Sequence, residues 1–468
     1  MTRSLLIAAS PGELRAALVD AGELRDFRLA RTVGASAVGE VHLGRIVRLL
    51  PALHAALVEI GQPRPAFLGA DDAPQRGLAG LHEGAGILIQ VKRDARADKA
   101  AAVTQRLRLA GHYLDFLPLR PGVIAEELAV AQRERASARV AGLLLAGEGA
   151  RLHPTCLHAA DAALAAEMQA LRARWREIEL RRVAAEPPAR LEAVAPLAAL
   201  LAEFADAAVE RILVDDAVLL GDARHWLQRE APHLAERLAL HREGQPLFEA
   251  EGVADAAAAL LELRIALPGG GVITIEPTAA ATLIDVDSGA LGAERGEGEE
   301  ALLAVDLLAA EAIAQQTRLR GLAGALVVDF VPLRRREMRE RLLEAFRGAL
   351  ARETPEAQLL GWTRLGHVEL TRPRRRAPLH EILCERTASG GLVKTALTLA
   401  LEALAAAARQ AVAMPGRGLV LHARPEILTA LEGEAAAARA ALETRLGRPL
   451  ALVSEPAWAR ETLDIRAT

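Results

Sequence analysis

The sequence predicts a multidomain α/β protein of the α+β kind, and three observations predict it. From Val38 the chain alternates apolar and polar residues in short runs broken by turn signals, the pattern of a small antiparallel β-barrel. Between Gly271 and Leu333 two β-branched apolar runs flank a long helical pattern, which reads as a βαβ unit. Beyond Gly391 helix and strand patterns alternate again, as in a small α/β module. With 468 residues, 51% of them hydrophobic, the chain can bury several cores, roughly two to four by length.

Residues 1–33 read as a short αβ start. The barrel segment VGEVHLGRIVRLLPALHAALVEIGQPRPAFLGADDA follows from Val38, with turns at Leu50-Pro51 and Gly61 to Pro65, and ILIQVKRDAR from Ile87 adds a further strand. After Lys99 the pattern is mixed, with a charged helix over Trp175 to Arg182, until a Pro-rich break near Arg190. From Leu191 to Ala256 helices alternate with short strands such as ERILVDDAVLL. Residues 259–382 are αβ in character and Thr387 to Gly391 form a link. A helix over 392–413, the strand GLVLHA, a helix to Leu446 and the strand PLALVS complete the chain.

The net charge of −4 excludes a globally polycationic protein, so any nucleic-acid surface must be local. Cys156 and Cys384 lie far apart and make no disulfide framework, which fits a reducing, cytoplasmic compartment. The apolar run from Leu5 to Ala9 is too short for a signal peptide core or a membrane span.

The two runs of the βαβ unit each end on aspartate: Asp285 and Asp287 close the first, Asp329 the second. Residues two apart on a strand share a face, so Asp285 and Asp287 point the same way. The intervening helix, with apolar Leu303, Leu307, Ala310 and Ile313, allows a crossover that sets the two strands parallel, both acidic ends at one edge. Oxygen ligands of this kind favour Mg2+ or Mn2+ and phosphate chemistry. The plainer alternative is that the aspartates are strand-end caps or turn residues. A basic stretch over 317–376 holds fourteen arginines against seven acidic residues, including Arg334 to Arg336 and Arg372 with Arg374 to Arg376. Such arginines can bind phosphates; for Arg339, Arg341 and Arg347 a solvated helix face is the simpler reading.

These residues, in this order, resemble the ribonuclease E/G family of bacterial endoribonucleases. IEPTAAATLIDVDSGA and TRLRGLAGALVVDF resemble the family's two stretches that carry metal-binding aspartates, and WTRLGHVELTRPRRRAPL its following segment. The barrel segment resembles its S1 domain, an OB-type RNA-binding barrel, and the likeness spans about residues 1–465. The size is like that of the short, ribonuclease G-like members. The resemblance implies an RNase H-like subdomain from 1–33 and 191–258, an S1 domain over 34–100, a degenerate 5′-sensor-like region over 101–190, a DNase I-like catalytic domain over 259–382, a degenerate zinc link over 383–391 and a small C-terminal α/β domain over 392–468.

It implies as well a Mg2+-dependent endoribonuclease of RNA processing, cutting single-stranded RNA to 5′-phosphate and 3′-hydroxyl ends. Asp285 and Asp329 match the metal aspartates, and Asp287 stands where the family usually has asparagine. Phe67 matches one aromatic of the RNA-stacking pair, while Leu57 replaces the other. Lys99, with Arg96 near it, matches a basic contact on the barrel side, and Arg364 and Arg372 are expected near the metal. The family's 5′-monophosphate sensor is an Arg-Thr pair after an apolar strand; aligning AGLLLAGEGAR puts Ala146 and Gly147 there. Its Cys-x-x-Cys zinc link reads Cys384-Glu385-Arg386-Thr387, so no structural zinc is expected, although His380 could join Cys384 across a homodimer. Two other readings stand beside the endoribonuclease: a catalytically weak or inactive RNA-binding protein on the same fold, and a metal-dependent phosphoesterase with another substrate.

Overall fold

The computed structural model describes residues 3–467 except 34–35, 75–76, 79, 96–98, 127, 158, 207, 243, 269, 290–297, 375 and 388–389. The chain folds as two compact units, one running from Ala30 to Leu240, the other combining the residues up to Leu29 with those from His241 onward.

The second of these units begins with a meander of strands Arg3–Ser10, Glu13–Asp20 and Glu23–Arg31. The first two pair along their whole length, from Arg3 opposite Asp20 to Ser10 opposite Glu13. This corrects the expected αβ start: among the described residues there, the regular elements are all strands. Ser4 to Ile7 are all buried, so the strand lacks the alternation that marks one exposed face. The turn at Ala21-Gly22 has φ of 54° and 82°, the left-handed pair of a tight hairpin.

The same unit holds a six-stranded sheet in the order Arg264–Ala266, Val272–Pro277, Thr282–Asp287, Gly324–Asp329, Val368–Arg372, Gln358–Trp362. Thr282–Asp287 and Gly324–Asp329 run parallel, and the other neighbours are antiparallel. Helix Glu299–Leu319 lies between the parallel strands in sequence and packs against helix Arg336–Glu353. Alternate strand residues (Ile273, Ile275, Ile284, Val286, Leu326, Val328) form one core with Leu303, Ile313, Leu342 and Phe346 of these helices. Each such buried side chain contributes roughly 1.5–3 kcal/mol.

Beyond the sheet come the short helix Leu379–Leu383 and a hairpin of Cys384–Arg386 with Leu392–Lys394. The helix expected over 392–413 therefore begins later, at Ala396: Leu392 to Lys394 are paired as a strand, and the Thr395 hydroxyl caps the helix by accepting from the Thr398 amide. Helix Ala396–Ala413 is long and apolar enough in composition to cross a membrane; here its Leu397, Leu401 and Leu404 are buried, and it packs on helix Pro425–Glu432 and strand Leu419–Ala423. Strand Leu450–Ser454 runs parallel to Leu419–Ala423, with Asp464–Ala467 antiparallel on its other side.

In the unit from Ala30 to Leu240, five strands close into a barrel: Val41–Leu50, Ala55–Glu59, Ala66–Gly69, Ala102–Thr104 and Gly86–Arg93, the last pairing back on the first. The closed barrel agrees with the alternation read from Val38. Its core includes Ile46, Val58, Leu68, Ile89 and Val103. A Cβ on Gly44 would stand 2.5 Å from the Val58 side chain, so closure requires glycine there. Strands Gly122–Ile124, Gly149–Leu152 and Leu114–Leu117 form a separate small sheet that shares a core with helices Val130–Ala141 and Asp161–Ala184, the latter containing the charged helix expected over Trp175 to Arg182.

Candidate functional site

In the six-stranded sheet Asp285 and Asp329 are register partners on the parallel strands. Register partners in a parallel pair share a face, with strands about 4.8 Å apart. Burial alternates strictly along Thr282–Asp287: Thr282, Ile284 and Val286 are buried, Leu283, Asp285 and Asp287 exposed. Asp329 ends its strand exposed, next to buried Val328. The core-facing Ile284, Val286 and Val328 thus turn all three carboxylates to the other face.

The three differ in what holds them. Asp287 Oδ1 accepts from the Gly289 amide at 2.9 Å, so the turn-residue reading holds in part for this aspartate. That turn needs glycine: Gly289 has φ +49° and a Cβ there would meet the Gly270 carbonyl at 2.4 Å. Asp329 Oδ1 lies 3.7 Å from His367 Nε2. Asp285 has no side-chain partner among the described residues. His367 ends a turn fixed by Thr363 Oγ1, which accepts from the Leu365 and His367 amides at 3.2 and 3.1 Å. In the sequence His367 is marked only by its place immediately before strand Val368–Arg372.

Among the described residues no three His, Cys, Asp or Glu side chains converge as a ready metal cluster. Zinc and calcium sites normally need such a cluster, whereas Mg2+ is commonly held by one or two carboxylates, with water and substrate phosphate completing the shell. Two adjacent exposed aspartates fit that donor set.

Most arginines of the basic stretch are already paired. Arg318 meets Glu353, Arg335 meets Glu299, Arg336 meets Glu340, Arg341 meets Glu300, Arg347 meets Glu344, and Arg352 meets Glu311. Arg339 lies 4.2 Å over the Trp362 ring. Arg372 requires a correction. It sits opposite Gly324, at the far end of the strand from Asp329. Its guanidinium is buried, donating to the carbonyls of Thr317 and Leu322 at 3.1 Å each and to Glu356 at 2.8 Å. Arg372 builds the sheet rather than facing the carboxylates. Arg364 lies exposed in the turn before His367. Arg364 and Arg334 have exposed side chains that make no ion pair among the described residues.

On the barrel, Leu57 and Phe67 are cross-strand register partners. Both are half-buried while Ala56, Val58, Ala66 and Leu68 are fully buried, so the pair lies on the outer face. Phe67 is therefore not barrel core. Lys99 is exposed, three residues before strand Ala102–Thr104, which runs parallel to Phe67–Leu68. Arg96 lies outside the described residues.

The region beyond the barrel shifts one alignment. The apolar strand is Gly149–Leu152, whereas Ala146 and Gly147 form an exposed turn before it. A Cβ on Gly149 would meet the Arg120 carbonyl at 2.0 Å, which favours glycine where the strand begins. The residues that follow the strand are His153, Pro154 and Thr155. His153 Nε2 lies 3.0 Å from Asp115 Oδ1, and Arg108 Nη1 donates to Asp115 Oδ2 at 3.0 Å. Burial raises the Asp115 carboxyl, but the His153 hydrogen bond and the Arg108 charge outweigh it and hold the group below the usual range. Behind them Glu167 accepts from the backbone amides of His112, Tyr113 and Leu114, and burial pushes its carboxyl up to about 7 despite those bonds.

His380 and Cys384 line one cavity of about 220 Å3 together with Arg320 and Lys394. Burial drives the His380 imidazole down to about 4 and pushes the Cys384 thiol up. His380 lies in the short helix Leu379–Leu383.

The sequence profile of the Ribonuclease E/G family matches residues 108–375, more than half of the chain. Ribonuclease G of Escherichia coli (strain K12) is 29% identical over 99% of this chain and 99% of its own length. Ribonuclease G of Haemophilus influenzae is 28% identical over 98% of each. Ribonuclease E of Nostoc sp. (strain PCC 7120) is 30% identical over 78% of this chain and 56% of its own length.

Proposed function

The chain belongs to the ribonuclease E/G family, and on that premise we propose that it is a Mg2+-dependent endoribonuclease acting on single-stranded RNA in RNA processing, leaving 5′-phosphate and 3′-hydroxyl ends. The observation that carries the reading is the register pairing of Asp285 with Asp329 on the exposed face of the sheet. These two carboxylates would hold Mg2+, or Mn2+ in its place. The ion, when bound, supplies Lewis acidity and a lowered pKa for attacking water. Asp287 keeps the turn after the first strand in place through Gly289. Its extra negative charge also repels substrate phosphate. Arg364 and Arg334 are free to meet phosphate oxygens with the forked geometry of guanidinium. Phe67 stacks a base on the barrel, and Lys99 contacts the backbone.

A second reading, an RNA-binding protein with weak or no catalysis, draws on Leu57, which offers no aromatic face beside Phe67, and on the charge of Asp287. Cleavage of a fluorescent, AU-rich single-stranded RNA with and without Mg2+ separates the two. Mg2+-dependent cutting that leaves 5′-phosphate ends supports the enzyme; retention of the RNA without cutting supports the binder. No structural zinc belongs to either reading. The cavity shared by Cys384 and His380 also carries Arg320 and Lys394, cations that oppose a dication.

A further inference from the structure

Helix Glu299–Leu319, between the two acidic strands in sequence, also grips the segment that follows Asp329. Residues 330–335 have no regular secondary structure, so their amides need partners from elsewhere. Glu299 Oε1 accepts from the Arg334 amide and, at 2.6 Å, from the Arg335 amide, while its Oε2 accepts from Arg335 Nε at 2.8 Å. Two helical turns on, Asp306 Oδ1 accepts from the Val331 amide at 3.0 Å. Between Asp329 and Val331, Phe330 is buried against Phe346 and Trp362, with ring centroids 5.7 and 6.4 Å apart.

Asp306 is an expensive way to make one hydrogen bond. Its side chain is fully buried and its second oxygen has no hydrogen-bond partner among the described residues. A half-satisfied carboxyl in a core costs stability relative to an apolar residue of similar shape. Core packing therefore does not explain its presence on the apolar stripe that runs through Leu303, Ala310 and Ile313. The Val331 amide does. We propose that Asp306, assisted by Glu299, is a positioning residue that fixes the chain two residues beyond Asp329 and so aims the Asp329 carboxylate for a divalent cation shared with Asp285. The inference rests on the metal site proposed above. It is independent of whether RNA is cut.

The test uses Mn2+ as a paramagnetic probe, titrated without RNA and read by electron paramagnetic resonance on the full chain. Asp306→Ala should weaken Mn2+ binding about tenfold, the scale of losses when a group orienting a metal ligand is removed, and should speed hydrogen exchange at the Val331 amide. Asp306→Asn keeps a carbonyl acceptor and should restore binding to within about twofold of wild type, a rescue that simple loss of core packing does not predict. Glu299→Ala, at the half-buried start of the helix, should weaken binding by a smaller factor, and it keeps the test open if Asp306→Ala fails to fold. Wild-type affinity in Asp306→Ala, or in Glu299→Ala where the former is unfolded, overturns the positioning role. So does an Asn variant as weak as the Ala variant. Asp285→Asn is the control for the site itself: if Mn2+ affinity ignores that change, the proposed metal site fails, and the positioning role fails with it.

Discussion

Carboxylates are used in opposite ways on the open face of the six-stranded sheet and around the small sheet beyond the barrel. On the six-stranded sheet Asp285 has no side-chain partner among the described residues and Asp329 has only His367, at 3.7 Å. Beyond the barrel, Asp115, Glu148 and Glu167 are fully committed: to His153 and Arg108, to Arg172, and to three backbone amides. The difference comes from which face of an element meets the core. Strict alternation along Thr282–Asp287 leaves its acids in solvent, Asp285 with no side-chain partner among the described residues and Asp287 bonded only through one oxygen to the Gly289 amide. Glu167 lies on the buried side of helix Asp161–Ala184, where an unbonded oxygen is costly. Free carboxylates are available for chemistry, and committed ones hold the chain in shape.

The sharpest way to break this contrast is at the free pair. Asp285→Asn and Asp329→Asn should each lower cleavage about a thousandfold, roughly 4 kcal/mol of transition-state stabilisation, with unfolding midpoints close to wild type. Wild-type rates in both would remove them from catalysis. Asp287→Asn should keep or raise the rate, since the turn bond to Gly289 needs only one oxygen acceptor.

At the committed acids the expected loss is in stability. Both Glu167 oxygens accept from amides, Oε1 from His112 and Tyr113 and Oε2 from Tyr113 and Leu114. Above about pH 7, where the carboxyl is ionised, Glu167→Gln points a donor at donors and should cost about 1–3 kcal/mol in urea unfolding. Asp306→Asn, with one accepting oxygen to replace, should cost less than about 1 kcal/mol near neutral pH. Burial raises both carboxyls from their ordinary values to about 7. The folded chain therefore holds more protons than the unfolded one between about pH 4 and 7. Their contribution to stability is complete below the unfolded values and is lost as pH rises through 7. Asp306→Asn should flatten that slope; an unchanged slope in unfolding experiments across this window would show that Asp306 stays ionised.

On the barrel the effects should be smaller and appear in RNA affinity. Phe67→Ala should weaken binding by about 1–3 kcal/mol, and Leu57→Phe should strengthen it by a comparable amount. Lys99→Glu should weaken binding and flatten its salt dependence. Unchanged affinity and salt slope in all three variants, measured by fluorescence anisotropy, would move RNA off this surface.

The smallest effect concerns the 5′ end. His153 follows the apolar strand and is tied to Asp115, and an imidazole lacks the fork of a guanidinium. Rates on 5′-monophosphate and 5′-hydroxyl RNAs should differ by less than about tenfold, roughly 1.4 kcal/mol. Any remaining preference should vanish in His153→Ala. A larger preference would reveal donors beyond His153.

Much of this was legible in the sequence because it is written in short-range periodicity. Alternation from Val38 marks the barrel, and β-branched runs ending in Asp285 and Asp329 mark the parallel strands with their helix between. Each can be seen in a window of about ten residues, since side-chain direction on a strand is set locally. What escaped depends on neighbours distant in the chain. The meander from Arg3 to Arg31 is buried where alternation would have shown it. The strand ahead of His153 begins at Gly149, where the backbone of Arg120 crosses close by. Arg372 reads as one more cation in a basic stretch until Glu356 and two carbonyls claim it. Asp306 reads as an interruption of an apolar stripe until the Val331 amide is found beside it. Sequence alone determined which residues could carry charge and on which side of an element they lie. Tertiary structure decided which of those charges are neutralised and which remain free, because a carboxylate or guanidinium is satisfied by whatever packing brings within about 3 Å of it.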